Sequence, residues 1–123
     1  TSAAVYPSSD RKHRLMTTVV VTRKSGHIVA YSVSGHTGVG EEGNDIVCAS
    51  LSAVTQTALL GLKNVAKADV SFARDRRKGY LKVTGNPTDA DARLGADMIL
   101  ETMLCGIRDI ADGYPQRIKL EVK

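Results

Sequence analysis

Residues 16–34 read MTTVVVTRKSGHIVAYSVS. Two runs rich in β-branched residues, 16–23 and 27–34, flank Ser25-Gly26. β-Branched side chains suit a pleated, half-buried surface, and Ser-Gly suits a tight turn, so the segment predicts a β-hairpin. Downstream, residues 35–45 (GHTGVGEEGND) form a loop with four glycines. From about Asp45 to Leu62 the pattern turns helical, with Val47, Leu51, Val54, Ala58 and Leu62 recurring at three- and four-residue steps. Gly61 weakens the last turn of that helix.

Residues 68–73 (ADVSFA) and 79–84 (GYLKVT) alternate as strands around the polar turn RDRRK. Asn86-Pro87-Thr88-Asp89 breaks the chain and offers a helix cap. A second helix is expected from about Ala90 to Ala111, with Ala92, Ala96, Ile99, Met103, Ile107 and Ile110 on one face. Gly113-Tyr114-Pro115 ends it, and residues 117–122 (RIKLEV) give a last strand. The order is ββαββαβ. It predicts an α+β fold: one mixed or antiparallel sheet with two packed helices.

The chain has 123 residues, of which 42% are apolar and 24% charged, which suits one globular domain with its own core. With no Trp and a single Phe, that core is expected to be aliphatic. Residues 1–15 are polar and aperiodic and read as a disordered tail or a cloning remnant, leaving 16–123 as the domain. Of the net charge of +4, half sits in that tail, where Arg11, Lys12 and Arg14 oppose Asp10. Charge alone therefore does not call for nucleic acid. Two cysteines are too few for a secreted disulfide scaffold, so both are expected as thiols. No apolar run suggests a membrane span and no signal sequence is evident, so a cytoplasmic location without membrane is expected.

The chemistry concentrates in GHTGVGEEGNDIVCASLSAV, residues 35–54. Cys48 is expected within the first turn or so of the helix, where unpaired N–H groups and the helix dipole favour a thiolate. His36 precedes it by a glycine loop long enough to return the chain to the helix start. Asp45 can cap the helix or orient His36, and Ser52 shares the helix face of Cys48. Three other readings stand beside catalysis. Cys48 can be a small buried hydrophobe. The glycine loop can hold phosphate, although it lacks a P-loop pattern and carries Glu41-Glu42. A metal site lacks any ligand spacing.

The same segment closely resembles the signature of the ribosomal-processing cysteine protease (Prp) family, often GHA…G…DIVCAAVSAL. The ββαββαβ order is also similar to that family's, over about residues 16–123. The resemblance implies Cys48 as nucleophile and His36 as general base, with Gly35, Asp45 and Ser52 in support. Thr37, Asn44 and Ser50 depart from the commonest pattern. It also implies the substrate, a precursor of large-subunit ribosomal protein twenty-seven whose short N-terminal extension is removed after an aromatic pair. A homodimer is implied too. No cofactor, metal or direct nucleic-acid contact is required.

The loop of Thr37, Gly38, Val39, Gly40, Glu41, Glu42 and Gly43 is expected to act as a lid over bound peptide. His27 is expected to be a solvated turn residue. Cys105, roughly opposite the apolar stripe of the second helix near Leu94 and Met98, marks a minor packing face or a subunit contact. The basic turn Arg74–Lys78 supports the alternative of a non-catalytic ribosome- or RNA-associated binding module.

Overall fold

The computed structural model describes residues 16–35 and 42–123, with residues 42–45 described by backbone alone. Seven elements follow in order: β1 (Thr17–Lys24), β2 (His27–Ser34), α1 (Glu42–Asn64), β3 (Ser71–Asp75), β4 (Tyr80–Thr84), α2 (Ala90–Gly113) and β5 (Ile118–Val122). The strands form one sheet in the order β3-β4-β2-β1-β5. β1 runs antiparallel to β2 and parallel to β5, so the sheet is mixed.

The β1–β2 hairpin closes through Ser25 and Gly26, both at positive φ (53° and 83°). Two left-handed residues match the twist of the flanking strands. Register shifts between Thr22 and Arg23, leaving Val29 as an extra residue on β2. The bulge explains why burial in β2 steps from Ile28 to Tyr31 and then to Val33.

Val19, Val21, Ile28, Tyr31, Val33, Leu81, Val83 and Ile118 form the buried face of the sheet. Both helices cover it. α1 contributes Val47, Leu51, Ala58, Leu59 and Leu62, and α2 contributes Ala92, Ala96, Leu100, Met103, Leu104 and Ile107. Ile99 and Ile110, expected in the core, are only partly buried, and Leu100 and Leu104 take their place. Gly61 does more than weaken a turn: a Cβ there would lie 3.3 Å from Ile99 Cδ1, so its absence lets the helices approach.

By length and composition, Ile46–Asn64 also satisfies the criteria for a membrane span, contrary to the expectation that no segment would. Its buried face packs on the sheet, which makes it a core helix here.

Three boundaries differ from expectation. α1 starts at Glu42, so Glu42 and Gly43 belong to its first turn and not to the loop. β3 starts at Ser71 because the preceding residues serve the end of α1: Lys67 is left-handed (φ 55°) and the Ala68 N–H donates to Leu62 O. Arg74 and Asp75 extend β3 and do not belong to the turn. Asp89 caps α2 as expected, its side chain accepting from Ala92 N at 3.0 Å.

Polar contacts tie the layers together. Tyr31 Oη donates to Thr55 O at 2.8 Å, joining β2 to α1, and burial pushes the phenol pKa up. Arg23 grips Glu101 of α2 through two bonds of 2.6 and 3.0 Å, and this hydrogen bonding holds the Glu101 carboxyl below its ordinary range. His27 is not a solvated turn residue; its Nδ1 lies 2.8 Å from Asp97 Oδ2.

Tyr31→Phe keeps the ring and deletes one buried hydrogen bond. We expect a loss of about 1 kcal/mol, read as a fall in Tm of about 4 °C. An unchanged Tm would show that the Tyr31–Thr55 bond adds nothing to the packing of the ring.

Candidate active site

Cys48 is half-buried on α1 and is not in a disulfide. It is the seventh residue of a helix that begins at Glu42, and so lies in the second turn, not the first. In that position its amide follows the helical i→i−4 pattern and is not one of the four unsatisfied N–H groups at the start. The extra N-terminal turn moves the thiol deeper into the helix than the sequence implied.

Thr17 Oγ1 of β1 lies 3.8 Å from Cys48 Sγ. Thr17 also neighbours Gly35, the residue before His36. Gly35 has φ of 89°, and a Cβ on it would sit 2.9 Å from Met16 O and 3.8 Å from Thr17 Cα. Both the left-handed backbone and the lack of room require glycine. The end of β2 is thereby pressed against the start of β1, whose Thr17 side chain touches the thiol. His36 and Thr37–Glu41, most of the expected lid, lie outside the described residues, as does the side chain of Asp45. The structure thus places the residue before His36 beside the thiol's own contact.

A cleft of about 440 Å³ opens beside Cys48. One wall is the α1 stripe Cys48, Ser52 and Gln56, spaced by four residues and so stacked on one face. Thr17 and Val33 line it from the sheet, and Arg74, Asp75, Arg76 and Tyr80 line it from the β3–β4 hairpin. Register explains the far wall. Arg74 pairs with Leu81 across β3–β4 and so shares the helix-facing side of the sheet, beyond the edge of α1. Its Nη1 reaches Gln56 Oε1 at 2.7 Å, bridging the cleft. Asp75 Oδ1 accepts from the amides of Arg77 and Lys78 at 3.0 and 3.2 Å and shapes the turn.

The basic segment Arg74–Lys78 is therefore divided, and Arg74 and Arg76 belong to the Cys48 cleft. Thr17, Gln56 and Tyr80 were missed as site residues in the sequence, and Arg74 and Arg76 were marked only as members of a basic turn. Only the i, i+4, i+8 spacing of Cys48, Ser52 and Gln56 was a usable signal. Among the described residues, no group of three or more His, Cys, Asp or Glu side chains could hold a metal. Cys105 is exposed on α2 and does not line this cleft.

The Cysteine protease Prp family matches residues 16–119 of the chain. The ribosomal processing cysteine protease Prp of Staphylococcus aureus is 30% identical over 112 residues, covering 89% of this chain and 100% of that protein. The fold is similar to the crystal structure of the S. aureus essential ribosomal processing protease Prp with a substrate peptide (TM-score 0.77, 28% identity, 88% of this chain and 100% of that one). It is equally similar to the structure of that protease with a covalently linked product peptide (TM-score 0.76, 30% identity, 88% and 100%).

Gly35→Ala forces a Cβ against Met16 O in a left-handed backbone. The expected cost is about 1–3 kcal/mol of stability, seen in denaturant unfolding, together with slower alkylation of Cys48 by a thiol reagent. Wild-type stability and labelling would mean that the β2 end tolerates a side chain there.

Proposed function

This chain belongs to the Prp family of cysteine proteases, and on that premise we propose that it removes the short N-terminal extension of large-subunit ribosomal protein twenty-seven. The observation that carries the reading is a half-buried cysteine lining a cleft of about 440 Å³, in contact with Thr17, which neighbours the strand end that precedes a histidine.

In this mechanism the Cys48 sulfur attacks the scissile carbonyl carbon of the extension. His36 takes the thiol proton and returns it to the leaving amine. The resulting thioester is hydrolysed by water, with His36 again relaying the proton. N–H groups of the helix start or of the loop ahead of it hold the oxyanion. Asp45 orients His36, and Ser52 lines the peptide path one turn beyond the nucleophile. No cofactor takes part.

The reaction belongs in the cytoplasm, where the ribosomal precursor is made, and the enzyme acts as a homodimer. Supporting the dimer, α2 exposes Leu94 and Met98 (63% and 65% accessible), apolar side chains suited to a subunit contact.

The test is cleavage of an extension peptide by purified variants. Cys48→Ala is expected to abolish turnover and Cys105→Ala to retain it. His36→Ala is expected to slow the reaction by about 10²–10⁴-fold. Turnover surviving in Cys48→Ala, or lost in Cys105→Ala, would remove Cys48 from the role of nucleophile.

A further inference from the structure

We propose that Thr17 is a positioning residue for the catalytic thiol: its hydroxyl donates to Cys48 Sγ when the sulfur is ionised and holds the thiolate in the cleft. This rests on the reading of Cys48 as the nucleophile.

Thr17 is 1% exposed, so its hydroxyl has given up water and needs a partner in the protein. The contact described for Oγ1 is Cys48 Sγ at 3.8 Å, within the reach of a hydrogen bond to sulfur. Packing alone does not call for a hydroxyl here. Val19 and Val21 occupy the same buried face of β1, and valine would fill position 17 with the same shape. The other described buried polar residue, Thr55, satisfies its hydroxyl on Leu51 O at 2.7 Å within its own helix. Thr17 instead points across to α1.

Its backbone is held from two sides. Thr17 N–H donates to Arg117 O at 2.8 Å, and Thr17 pairs with Ile118 of β5. Gly35 is pressed against it from β2. Oγ1 is therefore placed by the sheet.

With a neutral thiol, either atom can be the donor. Ionised sulfur can only accept, so the hydroxyl must then donate, and a bond to a charged acceptor is the stronger one. The contact consequently favours the thiolate, and removing it raises the pH at which Cys48 ionises. The charged or titratable groups that line the cleft with the thiol are Arg74, Asp75, Arg76 and Tyr80; Arg117 precedes β5 and accepts the Thr17 N–H at its backbone oxygen, and His36, Glu41, Glu42 and Asp45 precede Cys48 in the sequence. None of these changes when position 17 is varied.

The experiment follows alkylation of Cys48 by iodoacetamide in the Cys105→Ala protein, from mildly acid to mildly alkaline pH, read by peptide mass. Thr17→Val is expected to raise the midpoint by about one pH unit and to slow labelling several-fold at neutral pH. Thr17→Ser, which keeps the hydroxyl, is expected to track the parent. The acid limb of kcat/KM for an extension peptide is expected to move with the alkylation midpoint. A Thr17→Val midpoint equal to the parent's, or Thr17→Ser shifting as valine does, overturns the proposal. If Thr17→Val does not fold, Thr17→Ala against Thr17→Ser makes the same comparison with the same two outcomes. Alkylation needs no substrate, so it decides this contact even if peptide cleavage by Cys48→Ala were to sink the protease reading.

Discussion

The close approach of Gly35 to the start of β1 is the constraint on which the site depends. A hypothetical Cβ at position 35 falls 2.9 Å from Met16 O, a separation that real side chains do not adopt. Because that atom is missing, β2 can end flush against β1, and the chain can leave it in a left-handed turn toward His36. On the other side of the same junction, Thr17 meets Cys48 of α1. A strand end, a strand start and a helix wall thus converge within one or two side-chain lengths.

That junction would be of little use if α1 could shift along the sheet. The Tyr31–Thr55 bond fixes α1 two turns beyond Cys48, at a depth where an unpaired hydroxyl would be costly. Leu51, between them, is fully buried. At the other end of the hairpin, Arg23–Glu101 and His27–Asp97 tie β1 and β2 to α2. These pairs are partly exposed, so their value lies in fixing where α2 sits more than in stability. The close packing of the helices at Gly61 and Ile99 then sets α1 against α2.

The cleft itself exists because the sheet is wider than the helix above it. β3 and β4 extend past α1, and the side chains they present on that side, Arg74 and Leu81 among them, form a wall opposite Cys48, Ser52 and Gln56. Arg74, Asp75 and Arg76 make that wall polar and partly cationic, whereas the lining at Val33 of β2 and Leu51 of α1 is apolar. A ligand laid between them would meet apolar contact at Val33 and Leu51 and hydrogen-bonding groups at the far wall. Apolar lining with a few polar groups that set orientation is the usual composition of a ligand site.

Local chemistry settled much of this protein before any folding was considered. β-Branched runs around Ser25-Gly26 determined the hairpin, three- and four-residue apolar spacing determined both helices, and Asp89 determined where α2 begins. The segment around His36 and Cys48 marked the family, because a motif is a property of neighbours in the chain. Tertiary structure decided the rest. The parallel pairing of β5 with β1 joins residues about a hundred positions apart. The start of α1 at Glu42 overrode the expected loop and moved Cys48 to the second turn. β3 lost its first residues because Ala68 spends its amide on the end of α1. Thr17 and Tyr80 carry no mark in the sequence, and Arg74 carries only the charge of its basic turn, since each gains its place in the cleft only through strand register and the position of a helix distant in the chain.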